Sequence, residues 1–214
     1  MKKFWILFSL FIVPLLFYIF LASGINNFSK LPVVTKNVLD ISKFKNNSNK
    51  VITLNNKITV ICFLGKQILN HKVNALNLNE KIYKHFYPYK DFQMVAILPK
   101  GMQPKVAQLK KELGFTTNIE NWHFVYGKAG DIKTFFNSLK TNTYLDSLSY
   151  TPLSFIIDKD RNLRGRKDDN DSRNGILYGY NASQVSPLHK KMVDDIKIVL
   201  AEYRRALKNK KQKI

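Results

Sequence analysis

Apolar residues in this chain fall into two patterns that alternate along it: short unbroken runs and helical stripes. The strongest run is Ile58 to Leu64, inside the stretch Lys57 to His71. It has no helical period and is too short to cross a membrane, so it predicts a central strand of a parallel sheet, buried on both faces. Gly65 stops it, and a helix over Gln67 to Tyr87 follows, with Leu69, Val73, Leu76, Tyr83 and Tyr87 on one face and Pro88 at its end. Phe92 to Leu98 is a second strand, closed by Pro99. Pro104 opens a helix lined by Val106, Leu109 and Leu113 and stopped by Gly114. Trp122 to Tyr126 is a third strand, and Ile132, Phe135, Phe136 and Leu139 mark the next helix.

The pattern then changes. Ser154 to Ile157 reads as a strand, Asp158 to Asn162 as a turn, and Leu163 to Arg166 as the returning arm of a hairpin. Lys167 to Asn174 is a polar, exposed loop and Gly175 to Tyr180 a short edge strand. The last helix covers Pro187 to Lys208, with Met192, Ile196, Val199, Tyr203 and Leu207 inward. Val51 to Leu54 pairs as an edge hairpin with the strand at 58. The order βαβαβα, then ββ, then α, gives an α/β fold with a mixed sheet flanked by helices.

Phe4 to Ala22 carries no charge and approaches the ~20 residues a helix needs to cross a bilayer. Lys2 and Lys3 place its start in the cytoplasm and the rest of the chain across the membrane. Ala22-Ser23-Gly24 also passes as a weak cleavage site, but the run is longer than most signal-peptide cores, which favours an uncleaved anchor. No cysteine follows it, against a lipoprotein anchor. The expected organisation is a membrane anchor over 1–24, a linker over 25–50, a domain over 51–208 and a basic tail over 209–214.

The net charge of +20 raises nucleic acid, an anionic membrane or simple solvation as explanations. No zinc finger, helix-turn-helix or basic-aromatic RNA motif accompanies it, so no nucleic-acid partner is expected. The single cysteine, Cys62, lies inside the central strand among apolar neighbours and reads as a core residue rather than a reactive thiol. Its isolation rules out an internal disulfide. The four histidines, His71, His85, His123 and His189, are scattered. Asp158, Asp160 and Asn162 begin like a calcium loop, yet Leu163 stands where that loop needs glycine and a hairpin turn accounts for the acids. No metal and no cofactor are expected. Tyr150, Tyr178 and Tyr180 could line a groove, although packing explains them as well. The chemistry-bearing turn is the one after the central strand, with Lys66, Gln67, Asn70 and His71.

The order of elements resembles a thioredoxin fold. Tyr150-Thr-Pro-Leu-Ser-Phe-Ile-Ile-Asp158 resembles the strand and turn of membrane-tethered thioredoxin-like proteins, and Trp122-His-Phe-Val-Tyr-Gly127 resembles a stretch of the Sco/SenC copper chaperones. The resemblance covers roughly residues 50 to 205. It implies a cis proline at Pro152, beside the turn after the central strand. It also implies a copper site of two cysteines and a histidine, whose positions fall here on Gln67, His71 and Tyr150. A thioredoxin-type cysteine pair would fall on Gln67 and Asn70. Amide and phenol groups poorly replace the thiolates and imidazole that copper prefers.

The expectation is therefore a single-pass inner-membrane protein with a periplasmic, non-catalytic binding domain and a protein partner, in a role such as respiratory oxidase assembly. Two alternatives remain open: an atypical copper chaperone using His71 with other ligands, and a residual thiol oxidoreductase.

Overall fold

The computed structural model describes residues 2–23, 30–48, 50–172 and 174–211. Helix α1 (Lys2–Ser23) contains the apolar run and Pro14; its segment Lys3–Phe20 has a mean hydropathy of 2.1 and none of it is buried. By length and composition it is a candidate membrane span.

The sheet is built on β2 (Ile58–Leu64), buried along its whole length. On one side β3 (Phe92–Pro99) and then β4 (Trp122–Gly127) run parallel to it. On the other side β5 (Tyr150–Ile157) runs antiparallel. The far edge of β5 is shared. Its Ile156 and Ile157 pair with β6 (Leu163–Arg164), while Leu153 and Ser154 pair with β7 (Tyr180–Asn181). A short β1 (Val33–Thr35) closes the sheet antiparallel to β6.

Alternation along the strands sends side chains into two cores. Ile58, Val60, Cys62 and Leu64 face one layer, with α2 (Lys72–Leu78), α3 (Lys84–Phe86), α4 (Gln103–Gly114) and α7 (Val193–Lys211) contributing Ala75, Leu78, Phe86, Leu109 and Ile196. Ile61 and Phe63 face the other, against Ile132, Phe135 and Phe136 of α5 (Ala129–Ser138). Phe63 meets Phe136 edge-on at 5.2 Å and 81°, the geometry aromatic quadrupoles favour.

Several expectations need correction. Of the stretch read as a linker, Leu31, Val38, Ile41 and Phe44 are buried in the domain and Val33–Thr35 is a strand. Val51 to Leu54 forms no strand. Ile52 and Leu54 are buried in a loop fastened by Asp40, whose carboxylate accepts from Leu54 N at 2.8 Å and Thr53 Oγ1 at 2.9 Å. The first helix begins at Lys72, and Val73 is 52% exposed. A π-helical segment, Asn79–Tyr83, adds a residue to the turn and rotates the buried face onto Ala75, Leu78, Ile82 and Phe86. Between 175 and 180 only Tyr180 is in a strand, although Leu177 bridges Arg166.

The loop over 167–174 is not wholly exposed: Asp169 is buried and bound by Lys191 and Ser172; Arg173 lies outside the described residues. Before α7 come α6 (Val185–Pro187) and a second π segment, Leu188–Met192. Helix α7 extends into the basic tail as far as Lys211, and Arg204 lies over the Tyr89 ring at 4.9 Å.

Candidate functional site

The chain leaves β2 through Gly65, whose φ of +65° is a left-handed conformation that suits glycine. The turn presses against the start of β5. A Cβ at Gly65 would stand 2.7 Å from Tyr150 Cβ and 2.9 Å from the Leu148 carbonyl oxygen. Lys66 N donates to that same carbonyl at 3.0 Å. The opposing loop is fixed by its own side chain: Asp146 Oδ1 accepts from Leu148 N at 2.9 Å and Tyr150 N at 2.7 Å, an arrangement that short acidic side chains favour in turns.

Residues 67–71 form a turn, with Asn70 N and His71 N both donating to the Gln67 carbonyl. His71 caps α2 with φ of −108° and ψ of 16°, and makes no side-chain cap bond. Its ring lies flat on Tyr150, with centroids 3.7 Å apart and planes 10° off parallel. Asn74, buried one turn further on, donates its amide to Tyr150 Oη at 3.0 Å. Gln67 stays exposed, its Oε1 at 3.4 Å from Asn70 Nδ2. The structure thus joins His71 directly to Tyr150 and holds Gln67 beside them in the same turn. Asn74 was not singled out in the sequence, since a polar residue on a helix carries no signal until Tyr150 arrives from 76 positions away.

Pro152 is not cis: no cis peptide bond occurs among the described residues. Cys62 pairs with Ser154 and Phe63 with Thr151, so Pro152 and Leu153 bulge out of the ladder with β2. A proline in a bulge has no ladder donor to supply, and the close approach of β5 to the Gly65 turn is made by Tyr150. The Pro152 carbonyl still accepts from Ala182 N at 2.8 Å.

The other candidates disperse. His85 and His189 are exposed, and His123 sits on β4, its pKa lowered by burial and then by Lys110. Among the described residues no three His, Cys, Asp or Glu side chains cluster as metal ligands. Asp158 is bound by Arg164 and by the backbone of Asp160 and Asn162, as a hairpin turn requires. Tyr180 is buried and donates to Asp195, away from Tyr150.

Cys62 lies within β2 beneath the turn, and burial pushes its thiol up to about 12. Thiol exchange needs an accessible thiolate. The native protein should therefore leave Cys62 unmodified by an aromatic disulfide reagent at mildly alkaline pH and yield one thiol per chain once unfolded. Rapid labelling of the folded protein would contradict this.

No family model matches the sequence, and no curated protein matches it. Solved structures do. BsSco, a member of the Sco family of cytochrome c oxidase assembly proteins in which a disulfide switch was identified, is 14% identical at a TM-score of 0.54, over 80% of this chain and 98% of its own. An SCO1/SenC family lipoprotein from Bacillus anthracis is 15% identical at a TM-score of 0.53, over 80% and 99%. A candidate protein disulfide isomerase from Bacteroides thetaiotaomicron is 14% identical at a TM-score of 0.55, over 83% and 98%. With a single cysteine in the whole chain, no cysteine pair is available for disulfide redox chemistry. This chain has a thioredoxin-like fold, of the form seen in Sco/SenC and disulfide isomerase-like structures, without the redox pair.

Proposed function

We propose that this is a membrane-anchored periplasmic binding protein. It would use the edge of a thioredoxin-like domain to hold a protein partner, in an assembly role such as that of the oxidase-assembly protein BsSco, and would neither carry copper nor exchange disulfides. One observation carries the reading: the positions where the resemblance places copper ligands hold a stacked His71–Tyr150 pair tied down by buried Asn74, with Gln67 beside it. Such a surface offers a ring face and neutral hydrogen-bonding groups, which suit a polypeptide better than a soft metal ion. Lys2 and Lys3 at the start of α1 favour the orientation that puts the domain outside the cytoplasm.

The test is a copper(I) titration of the full-length protein in nonionic detergent against a competing chelator, with a disulfide-reductase assay on the same sample. Neither stoichiometric copper(I) nor turnover is expected. One copper(I) per chain in the wild type, lost in His71→Ala, would overturn the reading in favour of a metallochaperone.

A further inference from the structure

Three parallel strands end at the edge that carries His71 and Tyr150, and each runs on into a lysine. Lys66 follows the glycine after β2, Lys100 follows β3 directly and Lys128 follows β4 directly. Phe63 pairs with Ile97 and Pro99 pairs with Gly127. Carried one residue past the strand ends, that register sets Lys100 beside Lys128, at the roughly 4.8 Å spacing of neighbouring strands, while Lys66 follows the Gly65 turn at the end of the adjoining strand. The Lys100 N–H donates to the Gly127 carbonyl at 3.0 Å, so the level holds between β3 and β4.

All three lysines are exposed, and among the described residues none has an ion pair or a side-chain hydrogen bond. Like charges on adjacent strands destabilise a sheet end unless something answers them. The acids nearest in sequence give little answer. Glu112 is tied to Lys72, Asp146 is turned to its own loop's N–H groups, Glu120 lies before the opposite end of β4, and Asp131 in the first turn of α5 is exposed and uncommitted. Helices α4 and α5 also start at this edge, adding their positive ends.

Lys30, where the chain re-enters the described structure after α1, is at the opposite end. It lines a cleft with Asp158 and Tyr203, beside the start of β2, where Thr59 pairs with Ile157. The length of β2 separates the two ends, about 23 Å at ~3.3 Å per residue. The lysine row therefore lies away from the side by which the domain is joined to α1, which favours a protein ligand over the bilayer.

We propose that this edge docks an acidic segment of a partner protein, whose carboxylates lie along Lys66, Lys100 and Lys128 while its neighbouring groups meet the His71–Tyr150 face. The location rests on the binding-protein reading above; the sign of the partner rests on the lysine row alone.

The probe is a fluorescent oligoglutamate peptide, titrated by anisotropy against full-length protein in nanodiscs of zwitterionic lipid at low and high salt. Lys66→Gln/Lys100→Gln/Lys128→Gln is compared with Lys43→Gln/Lys111→Gln/Lys190→Gln, which removes the same charge from exposed lysines elsewhere. The row variant should weaken binding about tenfold, equal to about 1.4 kcal/mol, and flatten the salt dependence, with the control variant close to wild type. Equal weakening by both variants, or no binding by the wild type, overturns the proposal. So does a row variant that loses phosphatidylglycerol vesicles yet keeps the peptide, which would make the edge a lipid site. Tyr150→Ala separates the two readings. If it keeps the peptide that the row variant loses, the row stands without the aromatic pair.

Discussion

Replacing Arg164 with leucine should destabilise the domain by about 3–5 kcal/mol, the cost of leaving a buried charge without its partner, and lower its melting temperature by roughly 10 °C. The side chain is only 6% exposed, yet it holds three separate segments. Its Nη1 donates to Asp158 Oδ2 at 3.0 Å, its Nε to the Leu31 carbonyl at 2.9 Å and its Nη2 to Glu202 Oε2 at 2.6 Å. Burial works against the charge, and the bonds to Glu202 and Asp158 more than offset it, so the pKa is raised. In the variant Asp158, itself 1% exposed, loses its counter-charge. Thermal unfolding followed by circular dichroism measures the loss. Arg164→Leu/Asp158→Asn should recover part of it, because the more deeply buried of the two stranded carboxylates is gone. A single variant that melts within about 2 °C of wild type would show that the network adds little.

The second large effect belongs to the site. Gly65→Ala should cost about 2–4 kcal/mol: a left-handed backbone penalises a side chain by roughly 1–2 kcal/mol, and the added methyl collides with Tyr150 and Leu148. Relief requires the start of β5 to move, which pulls Tyr150 off His71. Gly101→Ala is the comparison. Its φ of +88° carries a similar backbone penalty, but nothing lies within 4 Å of the added Cβ. Gly65→Ala should therefore destabilise more than Gly101→Ala, and the Tyr150 ring-current shift on the His71 protons should disappear only in the first. Equal stability loss in the two variants, with the shift intact, would remove the claim that Gly65 sets the aromatic pair.

What could be read from the sequence follows from the range of the interactions. The central strand was legible because Ile58 to Leu64 needs no distant partner to declare itself, and Gly65 because a stop after such a run marks a turn. Leu31, Val38, Ile41 and Phe44 are interspersed with polar residues, and they are buried in a segment bonded to residues far along the chain, so the segment read as a linker. Val73 and Tyr87 were placed inward because a π segment cannot be seen in an apolar stripe. Gln67 and His71 stood out in the turn after the central strand, a family pattern joined Tyr150 to them, and the stack of His71 on Tyr150 comes with Asn74 and the Asp146 loop holding Tyr150. The same pattern misled at Pro152, because it carried a bond geometry over without the bulge that replaces it. The lysines after the strands were visible one by one, but their alignment exists only once register is known.

The bonds around Arg164 have a mechanical consequence. Leu31 N donates to Glu202 Oε1 at 2.9 Å while the Leu31 carbonyl accepts from Arg164, so the first buried residue of the domain among those described is gripped from both sides. One grip comes from the sheet and the other from the last helix. A pull entering at Lys30 meets this clasp first, and the load divides between β6 and α7 instead of peeling β1 from the sheet edge one bond at a time. Tension applied at Lys30 is thereby taken up at Leu31, at the opposite end of the sheet from the His71–Tyr150 pair.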